Sequence, residues 1–415
     1  MQITVIATGT LGDVLPLLNL ARFLREMGHN VRVYAQKTFA SHTDSTLVFH
    51  PLSGDATTVF TGALGLGLRQ RVATGQDLER FWSAYFCPVV WSHLLELESS
   101  CSGSDLVLCG PWLHLGPTLS EFFEIPCFVC CVMPVPGLST SEFPYPFSTR
   151  CEWGSPSANR ETWKEGELLS RIAYREVSHW RAEILGLEEV SWEEYSQRAY
   201  SMPHLFAYSH HLLPVPVEWQ NVYRATGYWR NKTPYIPPRD LSEFLEQGQP
   251  PIVFGFSSQT SRRAAEFTAT ILAALRNVRH RGILLSGWGG LQVPTKNGDV
   301  FSIKYAPHGW LLSKAVAMVH HGGAGTLGEC LHAGIPSLTV PLGYDEVFWG
   351  RLSARTGVGL PPIQPEDFNV TTLTKALSDM LENRELQHKC AEFAQRLSGE
   401  DGCSTASDVI HGALC

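Results

Sequence analysis

Apolar residues alternate along the chain between short continuous runs and runs with helical spacing, starting at the first residues. The run Ile3–Ala7 is almost entirely apolar and predicts a strand. Apolar residues at positions 14, 17, 18, 21 and 24 then predict a helix that ends at Gly28. Residues 31–34 alternate apolar with polar and predict the next strand. This βαβ opening indicates a parallel sheet flanked by helices.

The same alternation resumes after a segment dense in proline. Residues 106–108 and 128–132 predict two more strands in the first half, and residues 56–100 and 160–200 have helical composition. Proline pairs at 237–238 and 250–251 then indicate a connector. Beyond them, strands are predicted at 252–256, 283–285, 316–319 and 337–340, with helices at 262–277 and 326–333. We therefore expect an α/β protein with a first domain at 1–225, a linker at 226–250, a second domain at 251–395 and a tail at 396–415.

Composition excludes several functional classes. The 415 residues include 32 Lys and Arg against 40 Asp and Glu, a net charge of −8, which disfavours non-specific nucleic-acid binding. No apolar stretch reaches the roughly 18 residues of a membrane span, so we expect no transmembrane segment. Without a leader pattern, the 11 cysteines predict reduced thiols and a cytoplasmic location.

A glycine-rich turn between a predicted strand and a predicted helix is the clearest candidate site. The turn is His-His-Gly-Gly-Ala-Gly-Thr at 320–326. Glycines let a ligand approach the backbone closely, and the N–H groups at a helix start attract anions such as phosphate. It lacks the Gly-Lys-Ser/Thr of a P-loop. A tight turn without a ligand is the alternative at this point.

Carboxylates follow two other predicted strands. Asp13 lies after the first strand, where either a helix cap or a general base fits its position. Asp345 and Glu346 follow the last strong strand of the second half, where they either cap the next helix or accept hydrogen bonds from sugar hydroxyls. Cys127, Cys130 and Cys131 lack partner ligands at zinc-like spacing, so core packing is the better interpretation and no metal site is expected.

The order of motifs resembles the family-1 glycosyltransferases of the GT-B fold, close to the sterol and antibiotic glucosyltransferase branch. The motifs are GDVLP at 12–16, TGYW at 226–229, VFGFSS at 253–258, GWGG at 287–290, YAPH at 305–308, HHGGAGT at 320–326 and DEVFWG at 345–350. The resemblance implies two Rossmann-like domains facing across a cleft, with the acceptor bound by the first and a nucleotide sugar by the second. It also implies that the C-terminal tail crosses back to the first domain.

The resemblance assigns roles to matching positions. Asp13 would be the catalytic base. In the donor site, the glycine turn would hold the diphosphate, position 306 would meet the base, position 329 the ribose, and positions 345 and 346 the sugar. The donor-binding residues implied are Thr10, Ser258, Ala306, His321, Gly322, Gly325, Thr326, Glu329, Asp345 and Glu346.

The implied reaction is an inverting, metal-independent transfer of a hexose, by default glucose from UDP-glucose, to a hydroxyl of a small hydrophobic acceptor. The acceptor class is a natural product or a sterol or lipid, and no cofactor beyond the nucleotide sugar is implied. Leu11 stands where relatives often have Arg, and Glu346 replaces the usual Gln. These departures leave open the alternative that the chain is a non-catalytic relative that binds nucleotide sugar. A nucleotide-sugar epimerase on the same fold is the other alternative.

Overall fold

The described residues of each half of the chain build a seven-stranded sheet covered by helices. The computed structural model describes residues 1–54, 87–135, 137–148, 151–232, 234–256, 263–287, 290–291, 296–343 and 345–414. These residues form two units, one comprising 1–230 with 401–415 and the other comprising 231–400. Elements are numbered below in their order among the described residues.

All the described strands of the first unit run parallel. They are β1 Gln2–Ala7, β2 Asn30–Gln36, β3 Val48–Leu52, β4 Leu106–Cys109, β5 Cys127–Cys131, β6 His204–Phe206 and β7 Tyr223–Ala225. Their order in the sheet is β3-β2-β1-β4-β5-β6-β7, with every neighbouring pair parallel. The direction of winding reverses between β1 and β4. Such a switch point opens a crevice at the carboxyl ends of the strands, where open α/β sheets bind ligands.

Helices cover this sheet. They are α1 Leu11–Glu26, α2 Cys87–Leu97, α3 Gly116–Phe123, α4 Pro156–Glu183, α5 Trp192–Ser201 and, at the C-terminal end, the helix Gly402–Leu414; short 3-10 helices lie at Lys37–His42, Trp112–His114 and Val217–Trp219. Strands β4 and β5 are buried along their whole length, as expected for central parallel strands. The nine cysteines at 101, 109, 127, 130, 131, 151, 330, 390 and 403 are buried free thiols, which agrees with core packing.

The second unit repeats the plan with one antiparallel edge. Its strands are β8 Ile252–Gly255, β9 Gly282–Leu285, β10 Lys296–Asn297, β11 Val300–Ile303, β12 Ala317–His320, β13 Ser337–Thr339 and β14 Gly359–Leu360. Their order is β10-β11-β9-β8-β12-β13-β14, in which only the described pair β10–β11 is antiparallel. The helices are α6 Arg239–Glu246, α7 Ala264–Val278, α8 His308–Leu312, α9 Ala324–Ala333, α10 Glu346–Thr356, α11 Val370–Glu382 and α12 Arg384–Leu397.

The linker predicted at 226–250 differs from what the structure shows. Residues 239–246 within it form helix α6, and Leu241 and Phe244 are buried in the hydrophobic core of the second unit. The proline pair at 237–238 precedes the helix, a position where proline costs no helical hydrogen bond. The density of prolines therefore predicted a connector, although the three-residue spacing of Leu241 and Phe244 is typical of a helix.

The tail predicted at 396–415 is divided between the two units. Residue 400 ends the second unit, and the helix Gly402–Leu414, α13, belongs to the first unit and packs against α1. Gly402 is in close contact with backbone, because a Cβ there would lie 2.5 Å from the Gly227 carbonyl oxygen. His411 on this helix and His29 place their Nε2 atoms 3.1 Å apart. The C-terminal helix is therefore an integral part of the first unit.

A buried histidine gives the first unit a predictable sensitivity to acid. His204 on β6 is 3% exposed, and burial lowers the pKa of its imidazole to about 4. Because the imidazole of His204 has a pKa of about 6.5 in the unfolded chain, the unfolded chain binds the proton more readily, and the free energy of unfolding falls as the pH drops from 6.5 towards 4. We expect His204→Asn to reduce this slope by up to ~1.4 kcal/mol per pH unit in urea unfolding measured at several pH values. A slope in His204→Asn equal to that of the wild type would contradict the assignment.

Candidate functional site

The first part of the candidate site lies where β1 gives way to α1, at the switch point of the first sheet. Thr10 is the N-cap of α1, and Asp13 occupies the third helical position. The Asp13 side chain is only 6% exposed. Its Oδ2 atom accepts hydrogen bonds from the Thr10 backbone N–H at 2.8 Å and from the Thr10 hydroxyl at 2.9 Å. The carboxylate is thereby fixed in one orientation in the crevice region of the sheet.

The Trp112 side chain lies close to the Asp13 carboxylate. Gly9 has a φ of +124°, and a Cβ there would lie 2.6 Å from Asp13 Oδ2 and 2.9 Å from Trp112 Nε1. The carboxylate and the indole nitrogen therefore converge over the α-carbon of Gly9, and only glycine leaves room for both. Sequence reasoning missed Trp112. The available signal was its place directly after β4, because β4 lies beside β1 in a parallel sheet.

Burial dominates the electrostatics of Asp13. Desolvation raises the pKa of its carboxyl above the usual value, while the Thr10 hydrogen bonds and the Trp112 side chain oppose that rise. Burial, with a smaller contribution from the Asp13 charge, raises the pKa of the Cys131 thiol on β5 well above its normal range, so that thiol is neutral. A carboxylate whose pKa is raised is a stronger proton acceptor than one with the usual pKa.

The second part of the candidate site is the glycine turn between β12 and α9. Gly322 has a φ of +109°, and its N–H donates a 3.0 Å hydrogen bond to His320 Nδ1. Gly323 is the N-cap of α9 and provides no side-chain cap. The N–H groups of the first helical turn, which includes Gly325 and Thr326, have no acceptor within the helix. The turn therefore presents backbone donors and the positive end of a helix dipole, which is an arrangement suited to phosphate.

Histidines and one carboxylate surround this turn. Burial, reinforced by His308, lowers the pKa of His321 to about 4, so at pH 7 it acts as a neutral hydrogen-bonding group rather than as a cation. Burial also lowers the pKa of His308, and the nearby Glu329 carboxylate opposes this. Thr326 and Glu329 are three residues apart on α9 and lie on the same face of the helix. The structure thus gathers His321, Thr326 and Glu329 around one helix start.

Other predicted donor residues occupy distinct surroundings. The Ala306 side chain is fully buried in the core of the second unit, so any contact with a nucleotide base would come from its backbone. Ser258 lies outside the described residues. Asp345 is the N-cap of α10, and its Oδ2 accepts a 2.8 Å hydrogen bond from the Trp349 indole without capping the helix. Glu346 accepts hydrogen bonds from two backbone N–H groups of the preceding loop.

Within the described ranges, no group of three His, Cys, Asp or Glu side chains comes to metal-binding distances around either Asp13 or His321. Of the helices in those ranges, none combines the length and apolar character that crossing a bilayer requires.

Sequence comparison finds relatives along the whole chain. Residues 290–405 match the family model of the erythromycin biosynthesis protein CIII-like C-terminal domain. Sterol 3-beta-glucosyltransferase UGT80A2 of Arabidopsis thaliana is 31% identical over 418 residues, which cover 98% of this chain and 64% of that protein. A sterol 3-beta-glucosyltransferase of Aspergillus fumigatus is 27% identical, covering all of this chain and 30% of that protein. The chain therefore spans less than two thirds of the length of these two relatives.

Structure comparison identifies the fold. The calicheamicin glycosyltransferase CalG4 superposes with a TM-score of 0.73 at 16% identity, covering 99% of this chain and 98% of that one. The glycosyltransferase VinC, solved in complex with DTDP, superposes with a TM-score of 0.69 at 17% identity, covering 99% of each chain. Both match the architecture of two parallel-sheet units described above. Together the structural neighbours show the two-unit GT-B fold, and the sequence similarities support its grouping with the family-1 glycosyltransferases.

Proposed function

We propose that this chain transfers a hexose from a nucleoside-diphosphate sugar to a hydroxyl of a small hydrophobic acceptor. The observation that carries the proposal is the buried Asp13 carboxylate, fixed at the switch point of the first sheet with a raised pKa. A base of this kind suits removal of a proton from a poorly acidic hydroxyl. The glycine turn of the second unit supplies the complementary function, since the N–H groups at its helix start favour a diphosphate.

The proposed step is a single displacement. Asp13 accepts the hydroxyl proton as the acceptor oxygen attacks the anomeric carbon of the sugar. The bond between that carbon and the diphosphate oxygen breaks, and its electron pair leaves with the nucleoside diphosphate. Attack opposite the leaving group inverts the anomeric centre.

Charge that develops on the leaving diphosphate is stabilised by fixed dipoles. The N–H groups at the start of α9 and a neutral His321 donate hydrogen bonds to the phosphate oxygens in this proposal. Donors that are already oriented need no reorganisation as charge develops. We propose on this basis that transfer proceeds without a metal ion and without a further cofactor. Asp345 is assigned to the sugar hydroxyls, and Ser258 to the phosphates.

Relatives guide the choice of substrates. The plant and fungal relatives are named sterol 3-beta-glucosyltransferases, and a relative from Dictyostelium discoideum is named a UDP-sugar-dependent glycosyltransferase. We propose UDP-glucose as donor and a sterol-like polycyclic alcohol as acceptor. Solved neighbours named for calicheamicin and spinosyn make polyketide natural products the second acceptor class to test.

Product stereochemistry tests this proposal. The protein is incubated with UDP-glucose, cholesterol or sitosterol and excess EDTA, and the anomeric proton of the product is examined by NMR. We expect a β-glucoside formed at an undiminished rate with the chelator. An α-glucoside would overturn the single displacement, and EDTA inhibition reversed by added Mg²⁺ or Mn²⁺ would overturn metal independence. Conversion of UDP-glucose to another UDP-hexose without acceptor would show an epimerase instead.

Trp112 should influence the pH dependence of the reaction through Asp13. Trp112→Phe keeps an aromatic ring but removes an N–H group that favours the ionised carboxylate. We expect the pKa of Asp13 to rise further, so that the acidic limb of the kcat/KM profile moves to higher pH and turnover at any pH on that limb falls. The matched variant Trp91→Phe on α2 should leave the profile in place. An unshifted limb in Trp112→Phe would show that the indole does not act on Asp13.

A further inference from the structure

Glu346 lies at the start of α10 with its side chain turned back onto the protein. It is 4% exposed. Its Oε2 atom accepts hydrogen bonds from the backbone N–H of Leu342 at 2.5 Å and from that of Gly343 at 3.0 Å. One carboxylate oxygen thus holds two successive amides of the loop between β13 and α10. The buried Glu346 carboxylate therefore accepts hydrogen bonds from the loop that directly precedes it.

The main chain of Glu346 also forms part of the packing surface for the glycine turn. A Cβ built on Gly322 would lie 2.8 Å from the Glu346 carbonyl oxygen and 3.1 Å from its Cα. The same Cβ would lie 2.7 Å from the Thr339 Cγ2 atom at the end of β13. The turn at 321–323 therefore packs tightly against β13 and the first residue of α10. A shift of Glu346 would therefore move the surface against which the glycine turn packs.

These contacts separate two roles for Glu346. A residue that grips the transferred sugar presents its polar atoms to the ligand, whereas Glu346 directs its carboxylate to two backbone amides. An ionised carboxylate also cannot donate a hydrogen bond to a sugar oxygen. We infer that Glu346 is a positioning residue, which clamps residues 342–343 and thereby holds the glycine turn in the conformation that binds the diphosphate. This inference rests on the proposed function, because it assigns the diphosphate to that turn.

The two roles predict different effects on a nucleotide that lacks the sugar. If Glu346 acts through the turn, its loss weakens UDP and UDP-glucose equally, because both carry the diphosphate. If Glu346 binds the hexose, its loss weakens UDP-glucose and leaves UDP unaffected. The ratio of the two dissociation constants therefore distinguishes positioning from sugar contact, and no turnover is needed to read it.

Isothermal titration calorimetry with UDP and UDP-glucose on the full chain tests the inference. We expect Glu346→Ala, which leaves two amides without their acceptor, to weaken both ligands by about tenfold with an unchanged ratio. Glu346→Gln should stay within about threefold for both, because its amide oxygen accepts the same two hydrogen bonds. The exposed Glu382→Ala on α11 serves as the matched control and should bind both ligands like the wild type.

Each other outcome counts against the inference. A Glu346→Ala protein with normal UDP affinity and weakened UDP-glucose affinity would show a sugar contact. If Glu346→Ala does not fold, Glu346→Gln decides the question, because a changed UDP-glucose to UDP ratio in that variant overturns positioning. A wild-type chain that binds neither UDP nor TDP would overturn the proposed function itself, which is a distinct result from an altered ratio.

Discussion

Replacing Asp13 by Asn is expected to lower turnover by about 10²–10⁴-fold while leaving nucleotide affinity unchanged. The amide has almost the same shape as the carboxylate, and its oxygen retains the capacity to accept the two Thr10 hydrogen bonds. It cannot take a proton from the acceptor hydroxyl. Steady-state kinetics with saturating donor, together with calorimetric titration of UDP, separate the lost chemistry from any lost binding.

A matched substitution on the surface controls for general effects of removing a carboxylate. Asp44 forms a surface ion pair with Arg22, and Asp44→Asn should retain wild-type turnover. The thermal unfolding midpoint of each variant shows whether the first unit is intact. Turnover of Asp13→Asn within threefold of the wild type would remove Asp13 from the role of base. The Asp13 side chain would then be only the third-position acid of a helix cap.

Replacing Gly322 by Ala is expected to weaken nucleotide binding by tenfold or more. The residue has a φ of +109°, and an added methyl group would meet Thr339 Cγ2 at 2.7 Å and the Glu346 carbonyl oxygen at 2.8 Å. Strain of this kind costs about 1–3 kcal/mol and displaces the backbone unless neighbouring groups move. Because the turn binds through its backbone, displacement misaligns the N–H donors. Calorimetric titration with UDP measures the effect.

Gly399 provides the matched control for this substitution. Apart from its chain neighbours, no heavy atom of the described residues lies within 4 Å of the place that a methyl group on Gly399 would take. Its φ also lies outside the left-handed region, so Gly399→Ala should bind UDP normally. Normal UDP affinity in a folded Gly322→Ala protein would show that the conformation of this turn does not govern phosphate binding. It would also weaken the assignment of the diphosphate to the start of α9.

Much of the architecture can be predicted from local sequence patterns. The run Ile3–Ala7 and the glycine-rich turn at 320–326 are short segments whose own residues determine their structure. Parallel central strands are apolar throughout, and helices between them carry three- and four-residue spacing, so the pattern identifies both types of element. The position of Asp13 after a strand follows directly from this pattern, as does the place of the turn.

Features that depend on contacts distant in sequence cannot be predicted in the same way. Trp112 follows Asp13 by 99 positions along the chain, and the two meet only because β4 lies beside β1. The motif around Glu346 assigns this residue to a sugar, yet the direction of a side chain depends on the backbone that surrounds it. Helix α6 is hidden by flanking prolines, although Leu241 and Phe244 pack in the core. The features that local sequence patterns do not predict therefore depend mostly on the pairing of strands and the packing of loops.

Transfer of a labelled sugar is the decisive measurement for the proposed activity. The protein is incubated with UDP-[¹³C₆]glucose and a mixture of sterols and polyketide alcohols, and the products are analysed by mass spectrometry. We expect a product heavier than its acceptor by one labelled hexose residue, formed by the wild type and almost absent with Asp13→Asn. A chain that binds UDP-glucose yet leaves every acceptor and the donor unchanged would contradict the proposal that it glycosylates this class of alcohol.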